Sequence, residues 1–140
     1  MAYDGACHCG ALRFCFETTL APALWSVRAC QCSFCKLHAA LTSSDPAGAL
    51  NFRAADAAAV QHYRFGARTA DFLICRYCGA YLGASVSVNG SRFGLINVRT
   101  LRPFPNELPS PVLTNYDDES PAARIERRAA RWTPLAADSL

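Results

Sequence analysis

The sequence predicts a mainly β fold with one amphipathic helix at its C-terminal end. Apolar and polar residues alternate in several short segments, which is the pattern of strands with one buried face. Asn89-Gly90 separates two such segments and is a pair favoured in the type I′ turn of a β-hairpin. In the tail, Ser120 is a good N-cap residue, and Pro121 suits the first helical position.

The strands before this hairpin follow from local periodicity. Leu12, Phe14 and Phe16 occupy every second position, so they predict a half-buried strand. Two later segments flank a short connection at residues 66–68 and are expected to pair as a hairpin. The strands predicted in this part of the chain cover residues 12–17, 25–32, 60–65 and 69–75.

The last predicted hairpin has a defined buried face. Side chains alternate with a period of two, so one face of its first strand is expected to carry Leu82, Ala84, Val86 and Val88. Residues 91–101 are predicted to return as the partner strand. The next segment, residues 102–113, contains four prolines and is expected to form an irregular surface connection.

The tail predicts one helix, residues 121–132, that packs on the sheets. Ile125, Ala129 and Trp132 recur at helical spacing and form its apolar face. The arginines are expected to form a solvated face, and the absence of an aromatic-interleaved basic patch argues against nucleic-acid binding. These arginines are Arg124, Arg127, Arg128 and Arg131.

Length and composition indicate a single domain, residues 1–140. Hydrophobic residues make up 51% of the chain and charged residues 18%, which excludes a disordered or collagen-like chain. The formal net charge of +3 does not by itself indicate nucleic-acid binding. No segment approaches the ~20 apolar residues of a membrane span, and no secretory signal is visible, so we expect a cytoplasmic protein.

Seven of the eight cysteines lie in three tight groups, which indicates metal binding. In a reducing cytoplasm, clustered thiols are metal ligands more often than disulfides. Seven ligands are one short of two complete tetrahedral zinc sites, so we expect one closed zinc and one open zinc. The groups are Cys7 with Cys9, Cys30 with Cys32 and Cys35, and Cys75 with Cys78.

The first predicted zinc site combines the outer two groups. We name Cys7, Cys9, Cys75 and Cys78 the four-cysteine cluster. A glycine follows each pair, at positions 10 and 79, as expected of metal-binding turns that need left-handed backbone. The first pair is expected on extended chain, with both sulfurs on one face. This site would close a loop of about 65 residues and contribute directly to folding stability.

The second predicted zinc site is the three-cysteine cluster, Cys30, Cys32 and Cys35. Three thiolates on zinc leave one coordination position for water or an incoming ligand. A thiol bound at that position ionises near neutral pH, and zinc also polarises a carbonyl oxygen. The cluster therefore favours a reaction between a thiol substrate and a small carbonyl compound.

A second structural zinc is the alternative for this cluster, with Cys15 or a histidine as its fourth ligand. Cys15 lies about 20 Å along the strand from the first metal and cannot join it; we favour a buried cysteine without a metal. His38 is a candidate proton acceptor beside the open metal, although surface or supporting roles are commoner for such a histidine. His8 and His62 are expected to have no part in the site.

The cysteine groups and their neighbours resemble the glutathione-dependent formaldehyde-activating enzyme family, which includes the centromere protein V type proteins. The resemblance implies several coiled antiparallel β-sheets around zinc, a β-tent. It also implies a structural zinc on the four-cysteine cluster and a second zinc on the three-cysteine cluster. Residues 36–41 depart from the glycine-containing segment common in the family. The matching segments are residues 5–14, 30–36, 63–66, 75–80, 97–101 and 131–132.

Spacing and resemblance together lead to a hypothesis of function. The chain is expected to be a zinc-dependent enzyme of the carbon–sulfur lyase type that adds a thiol such as glutathione to formaldehyde or another small aldehyde. The alternative is a non-catalytic zinc module that binds a protein or nucleic-acid partner. Arginines are available to bind the glutathione carboxylates, and the candidates are Arg28, Arg64, Arg68 and Arg76.

Overall fold

The computed structural model describes all 140 residues and contains eleven strands and two α-helices. The strands are β1 (Ala2–Ala6), β2 (Leu12–Glu17), β3 (Arg28–Cys30), β4 (Thr42–Ser43), β5 (Ala49–Ala54), β6 (Val60–Tyr63), β7 (Asp71–Cys75), β8 (Tyr81–Val88), β9 (Ser91–Asn97), β10 (Val112–Thr114) and β11 (Thr133–Pro134). The helices are α1 (Ser33–Leu37) and α2 (Pro121–Arg131). Short 3-10 helices cover Pro22–Leu24, Ala57–Ala59 and Val98–Thr100. Neither helix has the length and apolar character needed to cross a membrane.

The strands form two sheets. The small sheet has the order β1-β2-β5, and all its pairs are antiparallel. The large sheet has the order β10-β3-β4-β9-β8-β7-β6, with β11 also paired to β9. Its pairs are antiparallel except that β10 runs parallel to β3. The prediction of a mainly β fold with antiparallel sheets and a C-terminal helix is confirmed.

Both faces of the large sheet are packed. Leu95 and Ile96 are consecutive on β9 and join different hydrophobic cores, because neighbouring side chains on a strand point to opposite faces. The first core includes Phe14, Phe16 and Phe52 of the small sheet. The second core includes Phe34 of α1 and Trp132, the residue that caps α2. The two helices therefore lie on the face of the large sheet opposite the small sheet.

The β8–β9 hairpin confirms one prediction and corrects another. Asn89 and Gly90 have φ values of 51° and 82°, as a type I′ turn requires. The prediction that Leu82 shares a face with Ala84 and Val86 is wrong: Leu82 packs in the first core, whereas the other two pack in the second. The register between β7 and β8 shifts at this point, with Leu73 opposite Gly83 and Ile74 opposite Tyr81. This bulge places Tyr81 in the second core, on the helical side of the sheet.

Other boundaries differ from the sequence prediction in ways that shape the site. The predicted return strand 91–101 ends at Asn97, and the next three residues form a 3-10 helix. The segment 102–113, expected to be irregular, already contains the start of β10, which pairs with β3. The predicted helix is confirmed as Pro121–Arg131, and the Ser120 hydroxyl accepts a hydrogen bond from the Ala123 amide at 3.1 Å.

Candidate metal centres and their cavity

The four-cysteine cluster is brought together by two distant parts of the chain. Its four sulfur atoms all lie within 4.8 Å of one another. The Sγ atoms of Cys7 and Cys9, and those of Cys9 and Cys75, are 3.6 Å apart. A tetrahedral zinc with Zn–S bonds of ~2.3 Å places its sulfurs about 3.8 Å apart. The cluster therefore has the dimensions and the donor chemistry of a zinc site.

Both halves of this cluster are tight turns ended by a left-handed glycine. Gly10 has φ 84° and its amide donates to the Cys7 carbonyl; Gly79 has φ 79° and its amide donates to the Cys75 carbonyl. The Leu12 amide also donates to Cys7 Sγ at 3.2 Å. The glycine prediction is confirmed, but the prediction that Cys7 and Cys9 lie on an extended chain is wrong. The turn gathers the two sulfurs and directs an amide at one of them.

The pKa values in the four-cysteine cluster diverge. Burial raises the pKa of Cys75 to about 11. Burial also acts to raise the pKa of Cys78, but hydrogen bonds from the Ala80 and Cys9 amides and from the Cys75 and Cys7 thiols bring it to about 6. Several thiolates packed this closely repel one another, so the fully ionised cluster needs a cation at its centre.

The three-cysteine cluster lies where β3 passes into α1. Cys32 is the N-cap of α1, and its sulfur accepts a hydrogen bond from the Cys35 amide at 3.3 Å. The three sulfurs lie within 4.8 Å of one another, and no histidine, carboxylate or further cysteine completes the group. Both cysteine clusters could hold a metal ion, and their thiolate chemistry is consistent with zinc.

The three thiols compete for one negative charge. Hydrogen bonds from Cys30 and Cys35 lower the pKa of Cys32 to about 2. Hydrogen bonds to Cys30 and then to Cys32 raise the pKa of Cys35, and the bond to Cys32 raises the pKa of Cys30. A thiolate on Cys32 is thus held by two thiol protons, which a divalent cation would displace on binding.

A cavity of ≈ 460 Å³ opens beside the three-cysteine cluster, and we name it the main cavity. Its volume falls in the range of roughly 300–1,000 Å³ that is usual for small-molecule sites. Its apolar lining comes from the large sheet, from the segment after β6 and from the end of α2. These lining residues are Phe65, Phe72, Ala84, Leu95 and Trp132.

Tyr81 is a buried polar residue in the wall of the main cavity. Its side chain is 3% exposed, and its hydroxyl has no hydrogen-bond partner. Burial, and then the charges of Cys35, Cys32 and Cys30, raise the pKa of this hydroxyl, so it stays protonated. An unsatisfied buried hydroxyl costs free energy in the folded protein, which suggests that a ligand supplies its partner. The sequence alone gave no sign of this residue.

Four arginines also line the main cavity, and we name Arg28, Arg124, Arg127 and Arg128 the arginine cluster. The prediction that the arginines of α2 form a solvated face is wrong for three of them. Arg124 and Arg127 side chains are 22% and 16% exposed, and Arg128 is 8% exposed. Arg131 alone among the four helix arginines is exposed and outside the cavity.

The other candidate arginines lie elsewhere. Of those predicted to bind glutathione carboxylates, Arg28 alone lines the main cavity. Arg64 is paired with Asp71 at 2.6 Å, and the guanidinium of Arg76 donates to the Val60 carbonyl. Arg68 is an exposed residue with φ 55° after β6. These three are therefore not placed to contact a ligand in this cavity.

The remaining predicted side chains are not brought into either cluster. His38 Nδ1 lies 3.0 Å from the Phe34 carbonyl, and its ring packs on Phe34 outside the main cavity. Cys15 is partly exposed on β2, so the prediction that it is buried is wrong, and it reaches neither metal cluster. His8 is exposed on the turn after β1. His62 is exposed on β6, and its Nδ1 lies 3.9 Å from Oδ2 of Asp71.

Comparison with known proteins is consistent with this geometry. The family model of the glutathione-dependent formaldehyde-activating enzyme matches residues 2–114. The chain belongs to this family. The match contains all seven clustered cysteines and Tyr81, but it ends before α2 and its arginines. Membership associates the chain with glutathione-dependent formaldehyde activation or a related role.

A solved structure is also similar to this formaldehyde-activating family member. The crystal structure of a Rhodobacter sphaeroides protein, a Northeast Structural Genomics target, is 32% identical to the chain with a TM-score of 0.58. The match covers 79% of this chain and 99% of that protein. No curated protein matches the chain.

Proposed function

We propose that the chain is a zinc enzyme of the carbon–sulfur lyase type, folded as one domain, that adds a thiol such as glutathione to formaldehyde or another small aldehyde. The observation that carries the proposal is a group of three thiols without a fourth protein ligand, at the wall of the main cavity. An open metal position next to a cavity of this size has room for a substrate. Family membership supports the same class of reaction.

The two clusters have different roles in this proposal. The four-cysteine cluster would hold a structural zinc, because its four ligands leave no position free. The three-cysteine cluster would hold the zinc of the active site. When bound there, zinc supplies a lowered pKa for a thiol and Lewis acidity toward a carbonyl oxygen.

The protein's own residues would then supply a proton to the carbonyl oxygen and exclude water. In the reaction the thiol sulfur forms a bond to the carbonyl carbon, the π electrons of the C=O bond move to oxygen, and that oxygen gains a proton. The thiol proton is released to solvent, and solvent returns one proton to the group that protonates the oxygen, so the sum is one thiol plus one aldehyde giving one S-hydroxyalkyl product. The unpartnered Tyr81 hydroxyl is the group in the cavity wall available to donate to the developing oxyanion. Phe72, Leu95 and Trp132 give the cavity an apolar lining that limits water.

Substitution Tyr81→Phe separates this role from folding. We expect turnover to fall at least about 100-fold, because the donor to oxygen is lost. We also expect the free energy of unfolding to rise by about 1 kcal/mol, because a buried hydroxyl without a partner is removed. Turnover and chemical denaturation measured on the same preparation test both parts. A variant with unchanged turnover would exclude Tyr81 from the reaction.

The reaction itself is tested by exchange NMR. We expect the zinc-loaded protein to accelerate interconversion of free formaldehyde and S-hydroxymethylglutathione, and not to accelerate hydration of formaldehyde without glutathione. A Cys15→Ser protein, altered at the one thiol outside both clusters, should behave like the wild type. No acceleration over the uncatalysed reaction, together with two equally inert zinc ions, would instead support a non-catalytic zinc module.

A further inference from the structure

The arginine cluster carries more positive charge than the carboxylates beside it neutralise. Arg127 is the best-paired member of the arginine cluster, with Nε–H and Nη2–H groups donating to the Glu119 carboxylate at 2.9–3.1 Å. Asp117 is the one acidic residue in the cavity lining. Four guanidinium groups therefore share the cavity wall with a single carboxylate.

The other three arginines are held mainly by neutral groups. Arg28 donates to the Ser44 hydroxyl at 2.8 Å, and Arg128 donates to the Thr69 hydroxyl at 2.6 Å. Arg124 donates to the Tyr116 carbonyl at 2.8 Å, and its Nε is 3.8 Å from Glu119, beyond hydrogen-bond distance. These contacts orient the guanidinium groups, and among the three only Arg124 has a carboxylate, that of Glu119, within ion-pair distance.

Two of these side chains retain donors with no partner. The Nε atoms of Arg124 and Arg128 are buried and make no hydrogen bond. Burial, and then the charges of Arg127 and Arg124, lower the pKa of Arg128 to about 10. Buried cations that repel one another are stabilised when an anion binds among them.

The arginine cluster lies partly outside the family-matched segment. Arg28 belongs to the matched residues 2–114, whereas Arg124 and Arg128 belong to α2, beyond them. Arg28 thus comes from the same part of the chain as the three-cysteine cluster, whereas the other arginines of the cavity wall come from α2. Helix α2 is therefore suited to determine which thiol the cavity accepts.

We propose that Arg28, Arg124 and Arg128 form a subsite for the carboxylate groups of the thiol substrate, so that the chain selects an anionic thiol over a neutral one. The inference rests on the proposed function, since it assumes that the thiol occupies the main cavity. Planar guanidinium groups match carboxylate oxygens and form charge-assisted hydrogen bonds with them. The tripeptide glutathione carries two carboxylates, as such a subsite requires.

Binding of S-methylglutathione to the zinc-loaded protein tests the subsite without any reaction, because the probe keeps both carboxylates and has no free thiol. We expect calorimetry to show binding weakened about tenfold or more in Arg124→Gln and in Arg28→Gln, since each loses a hydrogen bond to a charged group. Arg131→Gln is the matched control: it removes the same charge from the same helix but lies outside the cavity. It should bind within about twofold of the wild type, because an exposed charge that makes no contact in the cavity is screened by salt.

Two further probes, a diethyl ester and inorganic phosphate, test whether the subsite recognises carboxylate groups. The diethyl ester of S-methylglutathione should bind the wild type and Arg124→Gln equally weakly. Three results would each overturn the proposal. The first is that Arg124→Gln binds the probe as well as Arg131→Gln does, and the second is that the ester binds as tightly as the acid. The third is that inorganic phosphate binds more tightly than S-methylglutathione. Thermal unfolding of each variant shows that the fold is retained. If the proposed function is wrong but the subsite exists, S-methylglutathione should bind normally while formaldehyde exchange is not accelerated.

Discussion

A Cys75→Ser protein is expected to bind one zinc fewer than the wild type and to lose about 4 kcal/mol or more of stability. Cys75 is 1% exposed, and its sulfur lies 3.6 Å from that of Cys9. The cluster joins the turn after β1 to the turn after β7, so a metal there holds two distant parts of the fold together. For a chain of this size the midpoint of thermal unfolding should fall by roughly 12 °C or more.

The matched control for this experiment is Cys15→Ser. Cys15 lies on β2, is partly exposed and belongs to neither cluster. Its replacement should therefore leave the zinc content unchanged and change the free energy of unfolding only slightly. Zinc content by atomic spectroscopy and unfolding by calorimetry provide the measurements. Equal stabilities of Cys75→Ser and Cys15→Ser would argue against a structural zinc at the four-cysteine cluster.

Replacement of Cys32 should have the opposite balance of effects, with activity lost and the fold retained. Serine at this position keeps the N-cap of α1, because its hydroxyl can accept the hydrogen bond that Cys32 Sγ receives from the Cys35 amide. It is a poor substitute for a thiolate ligand of zinc. We expect Cys32→Ser to lose the exchangeable zinc and at least about 100-fold in turnover, with stability changed by about 1 kcal/mol or less.

Cys32→Ala distinguishes the metal from the cap. It removes both functions, so it should match Cys32→Ser in activity and zinc content but be less stable by about 1 kcal/mol. Collapse of the fold in both variants would indicate a structural metal at the three-cysteine cluster. Two zinc ions and wild-type turnover in Cys32→Ser would remove the cluster from the proposed reaction.

Features set by local chemistry could be predicted from the sequence. The Asn89-Gly90 turn needs two residues that tolerate positive φ, and no other part of the fold influences that requirement. The same holds for Gly10 and Gly79, and for the Ser120 cap of α2. The three-cysteine cluster and each pair of the four-cysteine cluster also follow from spacing, because a short chelate brings its own sulfurs together. The glycine that follows each pair was the local feature that linked the two distant pairs.

Features set by tertiary packing could not be predicted in this way. A strict period of two places Tyr81 on the face opposite Ala84, but the bulge at Leu82 puts both on the helical side of the sheet. Amphipathic patterning assumes that a helix buries its apolar stripe. Helix α2 instead covers a cavity whose wall combines apolar side chains with arginines, so the residues it buries include Arg128.

The parallel pairing of β10 with β3 has a thermodynamic consequence. The Gln31 amide, between two thiols of the three-cysteine cluster, donates at 2.8 Å to the Thr114 carbonyl, two residues before Tyr116. This contact joins the segment that carries the thiols to the segment whose Tyr116 carbonyl accepts a hydrogen bond from Arg124. Any ligand that tightens the contact from one end must strengthen binding at the other by the same factor, because linkage between two sites is reciprocal.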